Sequence, residues 1–284
     1  MPVSKIKNLI LLILLLSVVC LLVQIVPARL EQVRAEEALH QQLEELFASY
    51  DIRLNGAALP RSVSLYAIEL GAQREDAAVA AQALLGADAV LMPDSTHYAS
   101  TYSAAAGSCA FRADGTFTAT LSGAQSTQEP TDAAKKLLRK MGFAAQDVSE
   151  PQRVSAGVYE VAAGQNILGV PVLSEGLRLT YTNGSLSGIE GTFFTGASQV
   201  ARTSENACIS CADALVALLS GREALGWVGS EITSVRQCYR HTESASASVR
   251  LTPVWVIETD TGSFCVNGLT REISTLEGAH GEAN

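Results

Sequence analysis

The chain has 284 residues, of which 48% are hydrophobic and 17% charged, and its formal net charge is −9. That length and apolar content suit one large or two small globular domains and exclude a disordered chain. The acidic balance argues against nucleic acid as a partner, because that partner needs a basic face.

The first feature in chain order is an apolar run from Leu9 to Val26, broken only by Ser17 and Gln24 and stopped at Pro27. As a helix its 18 residues reach roughly 27 Å, close to the thickness of a hydrocarbon core of about 30 Å. A cleaved signal peptide would want an apolar stretch of ~7–15 residues and then a small-x-small site. Val26-Pro27-Ala28 is a poor version of that site. A lipoprotein would want a small residue before Cys20, where Val19 stands. A buried core helix is the third alternative. The run is read as a transmembrane anchor over residues 9–26. Lys5 and Lys7 precede it without an acid, whereas Arg29 and Arg34 follow it among Glu31, Glu36 and Glu37. Short positive N-termini stay inside, which leaves residues 1–8 in the cytoplasm. The expectation is a single-pass protein of the cell membrane with its C-terminal domain outside the cytoplasm. Its acidic body should stand off anionic headgroups.

Residues 29–50 carry helical periodicity, with Leu39, Leu43, Leu46 and Tyr50 on the expected apolar stripe. Alternation predicts a strand over Ser62–Leu70, and an Ala-rich run with acids at its start predicts a helix over Arg74–Leu85, ended by Gly86. Strands are predicted at Tyr98–Ser103, Ser108–Phe111 and Thr116–Leu121, the last entered through Asp114-Gly115. Ser122–Pro130 is polar and aperiodic and reads as a linker. A helix over Asp132–Met141, capped by Thr131, follows it.

Two hairpins come next. One is predicted to turn at Gly164-Gln165, the other at Asn183-Gly184, a dipeptide that strongly favours a hairpin turn. Thr203 or Ser204 is expected to cap a helix reaching Ser220. Strands at Glu231–His241, Val249–Thr259 and Ser263–Asn267 close the pattern. Two modules result, over residues 51–125 and 126–277, after a juxtamembrane helix over 27–50 and before a loose tail over 278–284. The fold class read from this order is α+β: an N-terminal transmembrane helix, then antiparallel sheets with packed helices.

Five cysteines lie beyond the apolar run: Cys109, Cys208, Cys211, Cys238 and Cys265. An odd number outside the cell leaves at least one thiol unpaired or bridged between molecules. Cys208-Ile-Ser-Cys211 has the spacing of half a zinc site, but no second such pair exists and His40, His97, His241 and His280 are scattered. Read on the predicted helix, Cys208 and Cys211 would share a face with Leu215. A disulfide, buried free thiols and a metal all stay open as their role. Thioredoxin-like chemistry wants the pair at the mouth of a helix after a strand, which this prediction does not give. The sequence holds no G-x-S-x-G elbow and no P-loop. No catalytic residue, cofactor or metal ligand is assigned, and the chain is not read as an enzyme.

Several stretches resemble a known family. Ser4-Lys5-Ile6-Lys7-Asn8 leading into the apolar run, and Ile52 through Leu59-Pro60 into Val63–Ile68, look like the start of YycI-type regulatory proteins of Gram-positive bacteria. Gly169-Val170-Pro171-Val172 and Leu177 to Gly191 resemble their central hairpins. Leu251 to Ile257, with Gly262, Phe264, Val266 and Asn267, resembles a closing hairpin shared with PepSY-type modules. Alternation around Trp255 would put one face of that hairpin onto a helix. The resemblance implies an extracytoplasmic regulator that modulates a cell-wall sensor histidine kinase of a two-component system, beside a related accessory membrane protein. It implies no catalytic residues, and the five outer cysteines depart from its pattern. The alternatives are a PepSY-like envelope module that binds or inhibits a peptidase, and an envelope redox or thiol protein using Cys208 and Cys211.

Overall fold

The computed structural model describes residues 37–54, 59–60, 63–71, 74–93, 95–96, 99–122, 129–196, 200–242 and 249–276, with Leu14 and Ala35 besides. Residues 37–48 form helix α1. Then come β1 (Arg53–Leu54), β2 (Ile68–Leu70), α2 (Arg74–Leu85), β3 (Val90–Leu91), β4 (Ala99–Ala104), β5 (Gly107–Arg112) and β6 (Thr116–Leu121). Next are α3 (Pro130–Lys140), β7 (Ala145–Gln146), β8 (Gln152–Ser155), β9 (Val158–Ile167), β10 (Val170–Leu173), β11 (Leu177–Thr182), β12 (Ser185–Thr192) and β13 (Val200–Arg202). The last are α4 (Cys211–Ser220), β14 (Glu231–Thr242), β15 (Val249–Thr259), β16 (Gly262–Asn267) and β17 (Ile273–Leu276).

The expected α+β class, with helices segregated from local antiparallel hairpins, is corrected to a strand-dominated mixed sheet. All 17 described strands are connected by pairing. Eight of them run antiparallel in the order β3-β4-β5-β6-β12-β11-β9-β8. The other part has the order β10-β14-β15-β16-β17, and there β1 and β10 both lie parallel to β14. Parallel partners must come from distant sequence, so no alternation pattern announces them. The β9–β10 hairpin joins the two parts.

The transmembrane and single-pass expectation is corrected as well. Among the described residues no helix is long and apolar enough to cross a membrane. The helix α2, the longest whose bounds are both described, has 12 residues, about 18 Å, well short of a hydrocarbon core of about 30 Å. The run over 9–26 on which that expectation rests lies outside the described residues, Leu14 excepted.

Local chemistry accounts for the helices. In α2 the buried residues Ala77, Ala80, Ala81 and Leu84 follow helical spacing, with Glu75 and Asp76 in the first turn. In α3, Pro130 occupies the first turn, where its missing N–H costs nothing, and Glu129 rather than Thr131 stands at the cap. Ser210 caps α4 through a reciprocal capping box with Asp213. The helix therefore starts at Cys211, not near Ser204. In α1 the buried side chains are Leu43 and Phe47, while Leu39, Leu46 and Tyr50 are exposed, so the inward stripe is rotated from the expected one.

The hairpin turns divide similarly. Asn183 and Gly184 take positive φ, 50° and 79°, in the predicted turn. The earlier turn falls instead at Leu168-Gly169, with φ of 54° and 80°, and β9 runs unbroken through Gly164-Gln165. Gln165 is buried, and its side-chain amide donates to Phe194 O (2.8 Å) and accepts from Phe194 N (2.9 Å). Its polar group is consumed by a distant strand end, so it has no need of a turn.

Candidate functional site

β15 separates two faces by simple alternation. Trp255 and Ile257 cluster with Phe47 of α1 and with Ala214, Leu215 and Leu218 of α4. Trp255 is fully buried, and its Nε1 donates to Ile209 O at 2.9 Å. On the opposite face Val254 and Val256 join Cys238 of β14 and Cys265 of β16 in a separate buried cluster. Leu173, at the end of β10, and Leu276, at the end of β17, both pack on that cluster. β10 and β17 are the outer strands of this five-strand group, and a single cavity is lined by residues of both, so this face is concave.

The concave face holds a groove of about 1200 Å³, and a second cavity of about 420 Å³ adjoins it. Arg240 of β14 lines both. Its Nη1 donates to Ser274 Oγ of β17 at 3.2 Å and lies 3.9 Å from Cys265 Sγ. The guanidinium therefore crosses the floor from β14 to the far strand. Arg236 pairs with Glu258 at 3.0 Å, and Ser234 Oγ donates to Glu258 at 2.7 Å. Among the described residues Arg240 has no carboxylate partner, in contrast to Arg53, Arg178, Arg236 and Arg271. The groove's outer wall includes Trp227, which is buried and edge-on to Phe264 at 5.8 Å. Among the described residues no group bonds to Trp227 Nε1.

All five outer cysteines are free thiols. Cys109 sits on β5 in the core shared with α2 and α3, and burial pushes its thiol up to about 12. Cys211 is the first residue of α4, buried, and is likewise pushed up to about 12. Cys238, beneath the groove, is pushed up to about 11 by burial. Burial also raises Cys265, with the Arg240 charge pulling the other way. Cys208 is half-buried and lies ahead of the helix, its N–H donating to Leu65 O at 2.6 Å. Burial raises its thiol, while hydrogen bonds from Gln237 and Trp255 lower it. The helical face expected to join Cys208, Cys211 and Leu215 does not exist, because Cys208 precedes the cap. Among the described residues no group of three His, Cys, Asp or Glu stands together to hold a metal.

The groove residues come from five separate regions of chain, and no local motif marks them. The one signal in the sequence was the alternation of Thr252, Val254, Val256 and Glu258, all on the face away from Trp255.

No family model matches the chain, and no curated protein matches it. Among solved structures it is similar to an uncharacterized protein from Eubacterium rectale ATCC 33656, at 10% identity and a TM-score of 0.45, over 80% of this chain and 90% of that one. It is also similar to the Bacillus megaterium YpeB C-terminal domain, at 12% identity and a TM-score of 0.35, over 74% of this chain and 99% of that one. Likenesses this distant concern the fold alone and carry no functional inference.

Proposed function

We propose that this chain is a non-catalytic regulatory protein that binds a protein partner in the concave groove of β10 and β14–β17. The observation that carries this reading is the groove itself: about 1200 Å³, an apolar lining that includes Leu173, Val256, Phe264 and Leu276, and the charged side chains of Arg236, Arg240 and Glu258. Apolar concavities with a few placed polar groups are the usual form of a binding site. The thiol alternative has little chemical support. The thiolate is the nucleophile; Cys211, pushed up to about 12, stays protonated at neutral pH, and burial raises Cys208 as well.

The YycI-type resemblance supports a sensor histidine kinase of a two-component system as the partner, with a related accessory protein beside it. Two of the resembling stretches, Val170–Val172 and Leu251–Asn267, form strands of the grooved sheet. Such a partner regulates the kinase only by binding its two states with different free energies.

The test is autophosphorylation of the purified full-length kinase with the full chain present. Wild type should change the rate roughly two-fold or more. Val228→Asp, which charges an exposed apolar residue of the groove, should abolish the effect while leaving the melting curve unchanged. An unchanged rate with wild type, or equal regulation by the variant, would overturn the reading. So would binding to a peptidase with no effect on the kinase.

A further inference from the structure

The kind of segment that fits the groove can be argued from β17 and Arg240. β17 pairs with β16 through Ser263↔Leu276 to Val266↔Ile273 and, among the described residues, with no other strand. No described strand pairs with its second edge, and an unpaired edge is a template for an incoming strand. Ser274 lies opposite Cys265, so Ser274 and Leu276 share the groove face, while Ile273 packs on the α4 side. The Arg240 guanidinium is held at this strand by its bond to Ser274.

The charges around it restrict the ligand. Glu258 is already occupied by Arg236 and Ser234, and Glu272 accepts from Thr270 Oγ1 at 3.1 Å. Glu175 stands exposed on the far wall of the larger cavity. Arg240 is thus the one groove cation without a carboxylate among the described residues, flanked by acids that would repel a second negative charge. Cavity extends on both sides of Arg240, so a bound chain continues past it in both directions. That geometry suits an internal acidic side chain and not a chain terminus.

Resting on the regulatory reading above, we propose that the partner contributes an extended segment that adds to the unpaired edge of β17. Its alternate apolar side chains enter the groove, and one internal Asp or Glu accepts from Arg240. Main-chain pairing supplies affinity in such docking, and the alternate side chains supply specificity.

The test is selection from a display library of capped random decapeptides against the full chain and against its Arg240→Gln and Arg240→Lys variants. Arg240 is exposed, so both variants should fold, and their melting curves check it. Wild type should enrich peptides with one acid at a constant position between β-branched residues. Changing that acid to its amide should weaken binding about ten-fold, as loss of a charge-assisted bond does. Arg240→Gln should lose the acid preference, and Arg240→Lys should keep it in part. No enrichment, enrichment without an acid, or the same acid preference in Arg240→Gln would each overturn the proposal. The kinase assay reads the groove independently of this geometry. A regulated kinase with failed selection sinks the strand docking alone, and successful selection with an unregulated kinase sinks the regulatory reading alone.

Discussion

Raising the pH from 8 to 10 removes protons from cysteine thiols in an unfolded chain, where the ordinary pKa is about 9. Three thiols in the folded protein resist this, because burial pushes Cys109 and Cys211 up to about 12 and Cys238 up to about 11. With the folded pKa above the unfolded one, the folded state holds the proton more tightly. The stability this gives is fully present below about pH 9. It is lost as pH rises through about 11 for Cys238 and about 12 for the other two. At pH 10 each thiol favours the unfolded chain by somewhat over ~1 kcal/mol, or about 4 kcal/mol for the three. A domain of ordinary stability, roughly 5–15 kcal/mol, would lose a large share. Urea denaturation followed by tryptophan fluorescence, in reductant at pH 8 and pH 10, measures the difference. The variant Cys109→Ala, Cys211→Ala, Cys238→Ala should be less stable at pH 8, because each deletion leaves a small cavity. Between pH 8 and pH 10 it should lose about 4 kcal/mol less than wild type. Lysines and tyrosines titrate alike in both proteins and cancel. Equal losses in the two proteins would refute the reasoning.

Three further outcomes are expected in the same denaturation assay. Gln165→Leu keeps the bulk but strands Phe194 N–H and C=O without their partner, at a cost of about 1–3 kcal/mol for each orphaned group. Ser210→Ala removes the α4 cap and should cost about 1 kcal/mol, with Ser210→Asp recovering most of it. Gly176→Ala puts a Cβ 2.2 Å from Ala163 O at a φ of +68°, so it should cost more than the ~1–2 kcal/mol of the left-handed backbone alone. A neutral result there would mean that the turn between β10 and β11 moves freely.

Features set by neighbouring residues were legible in the sequence. The stripe Ala77, Ala80, Ala81 and Leu84 gives α2, and Asn183-Gly184 gives its turn, because both are decided within a few residues. Features set by distant partners were not. Gly164-Gln165 looks like a turn until Phe194 is seen to occupy the glutamine amide. Thr203 and Ser204 look like caps on paper, but Asp213, reaching back to Ser210, places the cap there. That choice also removes Cys208 from the helix. The groove is the extreme case, since its floor and walls are drawn from β10, β14, β15, β16 and β17. Curvature of a sheet leaves no mark in any one strand, and an unpaired arginine looks like any other until its neighbours are known.

The pairing of β14 has a consequence for how the molecule is made. One edge of this strand is completed by β15, its neighbour in sequence. The other edge takes β10 and β1, and in the β1 pair Arg53 meets Glu231 across 178 residues. Pairings of such high contact order meet their loop-closure cost before any reward, which makes them slow to form. During synthesis β1 and β10 emerge well ahead of β14 and keep open edges until it arrives. The groove floor is then among the last surfaces to exist, because Arg236 and Arg240 both belong to β14. A partner that docks in the groove as proposed would meet only finished molecules, and its recognition would double as a check that folding is complete.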